Sequence, residues 1–503
     1  MQGKSTIVNT CANLLSRAWT MVANFVFVPL YIGLLGEEAY GLVTFFATMQ
    51  TVLNLLGMGL SKTLRREFAT DETSGKTPLY KYKMLRSVES VYLLIAVLII
   101  VLCFAGANAV TENWLNIENL SSSVVSFTIC LMGISIAAQM IANLYLGCLF
   151  GMELQVTANL YQIVWSMAKN VGVILVVSLI YADIRMFYAW HIITDIIYLL
   201  VVRMKVVRQL KKQECSLKWS IKDFSNLKSI YRFAFGVMII SLGYAINSQI
   251  DKLIISNEFT LTVVGAYNSA YNLSYVSVIL TSALGIAVFP KLTKLFSMGN
   301  YDRQNQLYTD VNRVANRFTC ALGAFIAVFA YEIISVWTGS TEIAAIVENV
   351  AGIVIIGTTL SALQEIPYNY FLACGVTKVN NIQTILCIIY VLVITPMCIH
   401  KWGLLGAGIA WLAEMFVSTT LYLTVFYNKY FKNNAMKYIV FDTYGPLFLN
   451  ICIAVLVKKA MIEVNMSRIM CIVCAIICGA IVLVGWFGVE YLSKRKKIHK
   501  EQE

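Results

Sequence analysis

We single out eight charged or titratable side chains that lie within long apolar runs of this 503-residue chain. Four lie in each half of the chain: Arg17, Lys169, His191 and Asp195, then Asp251, Lys252, Glu365 and Glu414. At bilayer depth each such charge costs about 2.5 to 3.5 kcal/mol on insertion scales, so each one needs a buried partner or a water-filled cavity. The first half supplies most of the cations and the second half most of the acids.

The two cations of the first half differ in depth. Arg17 lies about two turns into its run, so it either snorkels to the interface or lines a cavity. Lys169 lies near the centre of its run, which predicts a cavity or an acid partner. Glu414 is a candidate partner from the second half. Guanidinium and ammonium groups in a confined cavity bind phosphate oxygens well, so these cations indicate an anionic ligand.

His191 and Asp195 are four residues apart and so share one face of a helix. The spacing fits a hydrogen-bonded pair between helices as well as it fits a titrating pair. Glu365 precedes Ile366-Pro367, and a proline that kinks the helix beside a charge is typical of a gate. Asp251 lies near the outer end of its run, where interfacial and gating roles both stay open. We assign these acids and the histidine, together with Glu414, to gating or ion coupling.

The composition indicates a polytopic membrane protein. The chain is 59% hydrophobic and 13% charged, with mean hydropathy +0.72, and apolar runs of about 20 residues recur along it, so helices satisfy the backbone in lipid. The predicted class is all-α. The net charge of +12 lies in loops, which argues against nucleic acid. We expect neither metal nor cofactor, because Cys471, Cys474 and Cys478 lie in an apolar helix without a closed ligand set.

Fourteen spans are predicted from run length. They cover residues 9–35, 40–61, 88–107, 123–149, 157–181, 187–206, 232–256, 265–289, 315–338, 347–373, 380–399, 405–427, 439–457 and 469–491. Lys and Arg concentrate in the loops after spans 2, 6, 8 and 12 and in the tail, so the positive-inside rule places both termini in the cytoplasm.

An internal duplication divides these spans. Pro29–Ala69 resembles the stretch 261–296 at an offset of 226 or 227 residues, and 143–148 matches 369–374 at the same offset. We therefore predict a first lobe over 1–207 and a second over 232–430. An amphipathic cytoplasmic linker at 208–231 joins them, and two further spans with a basic tail occupy 431–503.

Several phrases of the chain resemble one transporter family. These are PLYIGLLGEEAYGLVTFF with Arg66-Glu67 after it, Ser248-Gln-Ile-Asp251-Lys252, Gly265-Ala-Tyr267 and Phe289-Pro290-Lys291-Leu292. They resemble the O-antigen and polysaccharide repeat-unit flippases, a branch of the MOP superfamily that also contains lipid II flippases and multidrug exporters. Ser16-Arg17 is similar to a Ser-Arg pair of the lipid II flippases, in which arginines line a cationic cavity.

The resemblance implies two six-helix lobes around a cavity that opens alternately to each side of a bacterial inner membrane. It implies outward transport of an undecaprenyl diphosphate-linked oligosaccharide, with Arg17 in the cationic cavity. We assign Lys169 and Arg66 to the same substrate-binding cavity from their charge. Membrane lipids, polysaccharide polymerase and chain-length machinery are the implied partners, and H⁺ or Na⁺ is the candidate coupling ion.

Two alternative functions remain. One is a multidrug or cation antiporter of the same superfamily, although its typical cationic substrates fit poorly with Arg17. The other is a membrane-embedded polysaccharide polymerase or ligase. Such enzymes need a sizeable outer loop with catalytic residues, whereas the longest outer connection spans about 15 residues, 108–122. We therefore expect no enzyme activity.

Overall fold

The computed structural model describes residues 2–69, 77–211, 243, 245–431, 435–464 and 466–502. Throughout this part the regular elements are helices, which confirms the all-α class. The chain divides into two compact units, Met1–Gly265 and Ala266–Glu503. The predicted linker at 208–231 falls mostly outside the described residues, and the four-part division of the chain stays a prediction.

Within its described residues the first unit contains seven helices and the start of an eighth. Six have the bounds α1 Gln2–Leu35, α2 Glu37–Ala69, α3 Pro78–Asn113, α4 Ser122–Gly151, α5 Gln155–Leu179 and α6 Ile184–Lys211. A seventh, α7, is described over 245–258, and α8, Leu261–Ser274, begins at the unit's end.

Helix α4 is the centre of the first unit and packs against α2, α3 and α6. Small residues permit this close packing: a Cβ on Gly133 would meet the Cys103 side chain of α3, and one on Gly147 would meet Ser61 of α2. Ser61 Oγ also donates a hydrogen bond to the Asn143 carbonyl at 3.0 Å. Glycine contacts of this kind are typical of packing between membrane helices, where backbones approach closely.

The second unit contains the remaining helices. Their bounds are α9 Val276–Ser297, α10 Tyr301–Val328, α11 Ala330–Thr338, α12 Thr341–Ile346, α13 Glu348–Ala362, α14 Glu365–Ala373, α15 Lys378–Tyr430, α16 Ala435–Tyr438, α17 Gly445–Glu463 and α18 Arg468–Gln502, with a π-helical turn at Ile439–Tyr444. Helix α13 is central here and packs against α9, α10 and α15.

Several predicted spans are broken. Helices α10 and α11 meet at an angle of 73°, and α13 is separated from α14 by Leu363 and Gln364. Helix α15 changes direction at Gly403, whose φ of 61° and ψ of −144° are not helical. This break lies in the predicted loop between spans 11 and 12.

Eight helices of the described residues are long and apolar enough to cross a membrane, or nine if the bent α10–α11 pair forms one span. The predicted count of fourteen is therefore not confirmed, although membrane-spanning helices in both units are. The count is lower partly because α15 contains two predicted spans, 380–399 and 405–427, and counts once, and partly because some of the chain lies outside the described residues.

Candidate functional site

The first unit contains a buried polar cluster centred on Asp195, whose side chain is fully buried on α6. Ser135 Oγ donates to Oδ2 of this carboxylate, and Gln139 Nε2 donates to the same oxygen at 2.8 Å. Trp165 Nε1 of α5 donates to Oδ1 at 3.0 Å. Since Ser135 and Gln139 are one turn apart on α4, they present their polar groups on the same helix face.

Lys169 completes the cluster from α5, one turn after Trp165. Its Nζ lies 3.3 Å from both oxygens of Asp195, and it also lies 5.1 Å from the centroid of the Trp165 ring. The Lys169 side chain is buried. The sequence predicted that this lysine needs a cavity or an acid partner, and the acid in the structure is Asp195 of the neighbouring helix.

The arrangement explains how two charges are accommodated in an apolar region. A buried ion pair is tolerated when good geometry and further hydrogen bonds satisfy the remaining polar groups. Asp195 meets this condition with three donors besides Lys169. The Lys169 ammonium contacts only one carboxylate and one aromatic ring face among the described residues. The carboxylate is thus the more firmly held member of the pair.

His191 lies one turn before Asp195 on α6, on the predicted shared face, and is buried. Within the described part of the chain neither ring nitrogen makes a hydrogen bond, so His191 is not hydrogen-bonded to Asp195. Its ring contacts Phe187, with centroids 4.2 Å apart, and Tyr188, with centroids 5.6 Å apart. The titrating alternative for the His191–Asp195 pair stays a prediction.

Sequence reasoning missed the neutral members of the cluster. Gln50 of α2 donates to Gln139, so the polar contacts extend from α6 through α4 to α2. The four-residue spacing of Ser135 and Gln139 was a usable signal, because two polar side chains on one face of an apolar helix usually meet a polar partner.

Two predicted cavity residues, Arg17 and Arg66, belong to α1 and α2, but their side chains lie outside the described residues. Asp251 and Lys252 lie on α7, where Asp251 is half-buried and Lys252 is buried. The predicted roles of these residues stay predictions.

In the second unit Glu365 is the first residue of α14, and it accepts a hydrogen bond from Asn369 Nδ2 at 3.2 Å. Pro367 lies in the first turn of α14, where its missing N–H is tolerated. The break at Leu363 and Gln364 lies three to four residues before it, where a proline removes a helical hydrogen bond. Glu414 is buried in the wall of a cavity of about 500 Å³ between the two arms of α15. Gln383, Cys387 and Ser418 line the same cavity.

Among the described residues, no group of three or more His, Cys, Asp or Glu side chains is arranged to hold a metal ion. Cys471, Cys474 and Cys478 are half-buried and pack beside a cluster around Phe325 and Phe329 of α10 and its junction with α11. The cysteines thus contribute to hydrophobic packing, as their spacing on an apolar helix predicted.

Comparisons with solved structures place the fold. The chain is similar to the lipid II flippase MurJ in an inward closed conformation, with TM-score 0.69 and 14% identity over 97% of this chain and 99% of that one. It is also similar to an inward-facing multidrug resistance MATE transporter of the MOP superfamily, with TM-score 0.63 and 13% identity over 84% and 98%. At these identities the likeness shows the fold alone.

Two curated relatives match the sequence. One is the "Putative O-antigen transporter" of Shigella flexneri, 22% identical over 391 residues, which are 77% of this chain and 89% of that protein. Another is the "Probable low-salt glycan biosynthesis flippase Agl15" of Haloferax volcanii, 24% identical over 239 residues, or 45% and 48% of the two chains. The family described as polysaccharide biosynthesis protein matches residues 4–296, more than half of the chain. With this match and its all-helical, membrane-spanning fold, the chain belongs to the polysaccharide biosynthesis protein family.

Proposed function

We propose that this protein is a flippase for a lipid-linked oligosaccharide and not an enzyme. The substrate of the proposal is an undecaprenyl diphosphate-linked repeat unit of O-antigen or a similar surface polysaccharide. It moves from the cytoplasmic to the outer leaflet of a bacterial inner membrane by alternating access. The family match, the names of both relatives and the transporter fold support this proposal.

The observation that carries the proposal is the buried Lys169–Asp195 pair. Because Asp195 keeps three neutral donors when Lys169 departs, the ammonium is the member that can exchange partners at the lower cost. A lysine is a compact charge on a flexible stem and binds phosphate as a point charge. In the proposal Lys169 leaves Asp195 for the substrate diphosphate and returns after release.

The other charged residues have roles in the same cycle. Arg17 and Arg66 add positive charge to the cavity, while His191, Asp251, Glu365 and Glu414 gate the cavity or bind a coupling proton or sodium ion. An inside-negative potential favours outward movement of an anion by about 2.3 kcal/mol per charge per 100 mV. Polymerase and chain-length machinery receive the product on the outer side.

The test is transport of a lipid-linked oligosaccharide into proteoliposomes, with pH, sodium and potential set independently. We expect Lys169→Ala to slow transport by about 10- to 100-fold, the loss that corresponds to a hydrogen bond between charged groups. Lys169→Arg should retain part of the rate, because it keeps the charge. Full transport by the alanine variant at native abundance would contradict the proposal.

A matched control breaks an ion pair in the other unit. Lys458 Nζ lies 2.9 Å from Glu332 Oε1, and its side chain is about one quarter exposed. Lys458→Ala should therefore leave transport near the native rate. A similar loss in both variants would indicate a general loss of stability and not a role for Lys169 in transport.

The proposed orientation has its own test. Single cysteines at Asn116 and Thr341 should react with an impermeant reagent in intact cells, and those at Ser74 and Asn300 should be protected, because the basic loops face the cytoplasm. Labelling at position 74 in intact cells would overturn this topology.

A further inference from the structure

Three helices of the first unit bring two arginines to one buried carboxylate, away from the Lys169–Asp195 pair. Glu89 of α3 is 7% exposed. Its Oε1 accepts hydrogen bonds from Tyr145 Oη of α4 and from Arg203 Nε of α6 at 3.1 Å. Its Oε2 accepts from Arg86 Nη1 at 2.8 Å. Arg86 Nε donates to Tyr82 Oη at 2.8 Å.

The charges of this group do not balance. Two guanidinium groups share one carboxylate, which already accepts three hydrogen bonds. In the part of the chain that the structure describes, the two terminal nitrogens of Arg203 carry no hydrogen bond, and its side chain is 39% exposed. A guanidinium has five N–H donors, so a net positive charge with free donors remains for an anion.

The position of the group along its helices indicates which anion. Helix α3 carries no charged residue from Ser90 to Thr111, and α6 carries none from Ile196 to Val202, immediately before Arg203. Arg86, Glu89 and Arg203 therefore lie at one edge of the apolar region. Phosphates of lipid headgroups are the anions at this level of a membrane, and basic pockets between membrane helices bind such headgroups.

The second repeat lacks the arrangement. At the offset of 226 residues Glu89 corresponds to Ala315, Arg86 to Asn312 and Arg203 to Lys429. Lys429 Nζ lies over the rings of Phe371 and Tyr430, 5.9 and 5.4 Å from their centroids. The duplication alone thus does not explain the two arginines, and Lys429 provides a matched control at the corresponding position.

We propose that Arg86 and Arg203 bind the phosphate group of a membrane lipid at this edge of the first unit. Glu89 is the positioning residue, since its carboxylate holds one edge of each guanidinium and leaves the others for phosphate oxygens. Two lipids carry this chemistry: an anionic phospholipid of the bilayer, and an isoprenoid diphosphate. The inference does not depend on what the protein transports, because lipid binding is measured without transport.

The experiment uses the purified full chain in phosphatidylcholine nanodiscs, with retained lipids counted by native mass spectrometry. Phosphatidylglycerol is one probe and farnesyl diphosphate, a short isoprenoid diphosphate, is the other. We expect the native protein to retain at least one of them over phosphatidylcholine. Arg203→Gln and Arg86→Gln should each weaken that retention by about tenfold, and Lys429→Gln should leave it unchanged.

The two probes distinguish the sources. Loss of phosphatidylglycerol retention in Arg203→Gln identifies a bilayer phospholipid, whereas a loss confined to farnesyl diphosphate identifies an isoprenoid diphosphate. Equal retention of both probes by the native protein and a folded Arg203→Gln variant, with the same melting temperature in phosphatidylcholine, overturns the inference. If Arg203→Gln does not fold, Arg86→Gln decides by the same comparison, because it leaves the Arg203–Glu89 contact in place.

Discussion

Removing Lys169 or Asp195 singly is expected to reduce the stability of the first unit by unequal amounts. Breaking a buried ion pair by deleting one partner costs about 3 to 5 kcal/mol. Lys169→Ala belongs at the lower end of that range, because the carboxylate keeps Ser135, Gln139 and Trp165 as donors. Each hydrogen bond to a charged group contributes about 1.5 to 3 kcal/mol, which stabilises the remaining charge.

Asp195→Asn belongs at the upper end of the range. Lys169 would lose its counter-charge and keep one neutral amide oxygen and the Trp165 ring beside its ammonium. The new amide nitrogen would also replace one of the two carboxylate oxygens, either Oδ1, which accepts from Trp165, or Oδ2, which accepts from Gln139. We therefore expect Asp195→Asn to cost about 2 kcal/mol more than Lys169→Ala, the width of the range for broken pairs.

The assay is equilibrium unfolding of the purified protein in mixed micelles, followed by tryptophan fluorescence. The double variant Lys169→Ala/Asp195→Asn should lose less stability than the sum of the single variants, because it contains no uncompensated charge. The reasoning is refuted if Asp195→Asn is the milder single change, or if the double variant equals the sum.

Three further substitutions test the packing and hydrogen bonding of the first unit. Gly41→Ala is expected to destabilise the protein by at least about 1 to 3 kcal/mol, because its Cβ would lie 1.8 Å from the Leu261 carbonyl oxygen. A Cβ added at Gly33 would meet no atom within 4 Å, so Gly33→Ala should be neutral or stabilising by about 0.5 to 1 kcal/mol. Equal thermal midpoints for the two alanine variants would contradict this packing. Glu38 accepts hydrogen bonds from three successive backbone N–H groups at 118–120. Glu38→Gln should therefore accelerate amide exchange there by about tenfold, by the cost of a lost charged hydrogen bond, and unchanged exchange would show that these contacts contribute little.

The sequence was sufficient for the class of the protein, and the internal duplication stays a prediction. A chain that is 59% hydrophobic and 13% charged must satisfy its backbone inside the bilayer, and helices do so locally, residue by residue. Two residues matched by the predicted offset, Asn143 and Asn369, lie at close helix contacts within their own units. The Asn143 carbonyl accepts from Ser61 of the second helix of the first repeat. The corresponding Asn369 packs against Gly285 of α9, whose Cβ would lie 2.6 Å from Asn369 Nδ2.

The helix breaks were harder to predict from the sequence. Gly403 lies in a stretch that the sequence assigned to a loop, and its left-handed φ is a conformation that glycine adopts readily. The 73° bend after Val328 has neither glycine nor proline at the junction. Hydropathy shows only that such a run is apolar, so it cannot locate a bend within the run.

The partner of Lys169 was decided by the tertiary structure. Sequence and the cost of a buried charge established that this lysine needs an acid or a cavity. Spacing along one helix could relate His191 to Asp195, but it carries no information about a residue on another helix. The choice of Asp195 depends on the packing of α5 against α6, which places the two side chains 3.3 Å apart, 26 residues from each other in the chain. Because an ion pair is stabilised by short distance and by the donors around it, the assignment follows from helix packing and not from residue type.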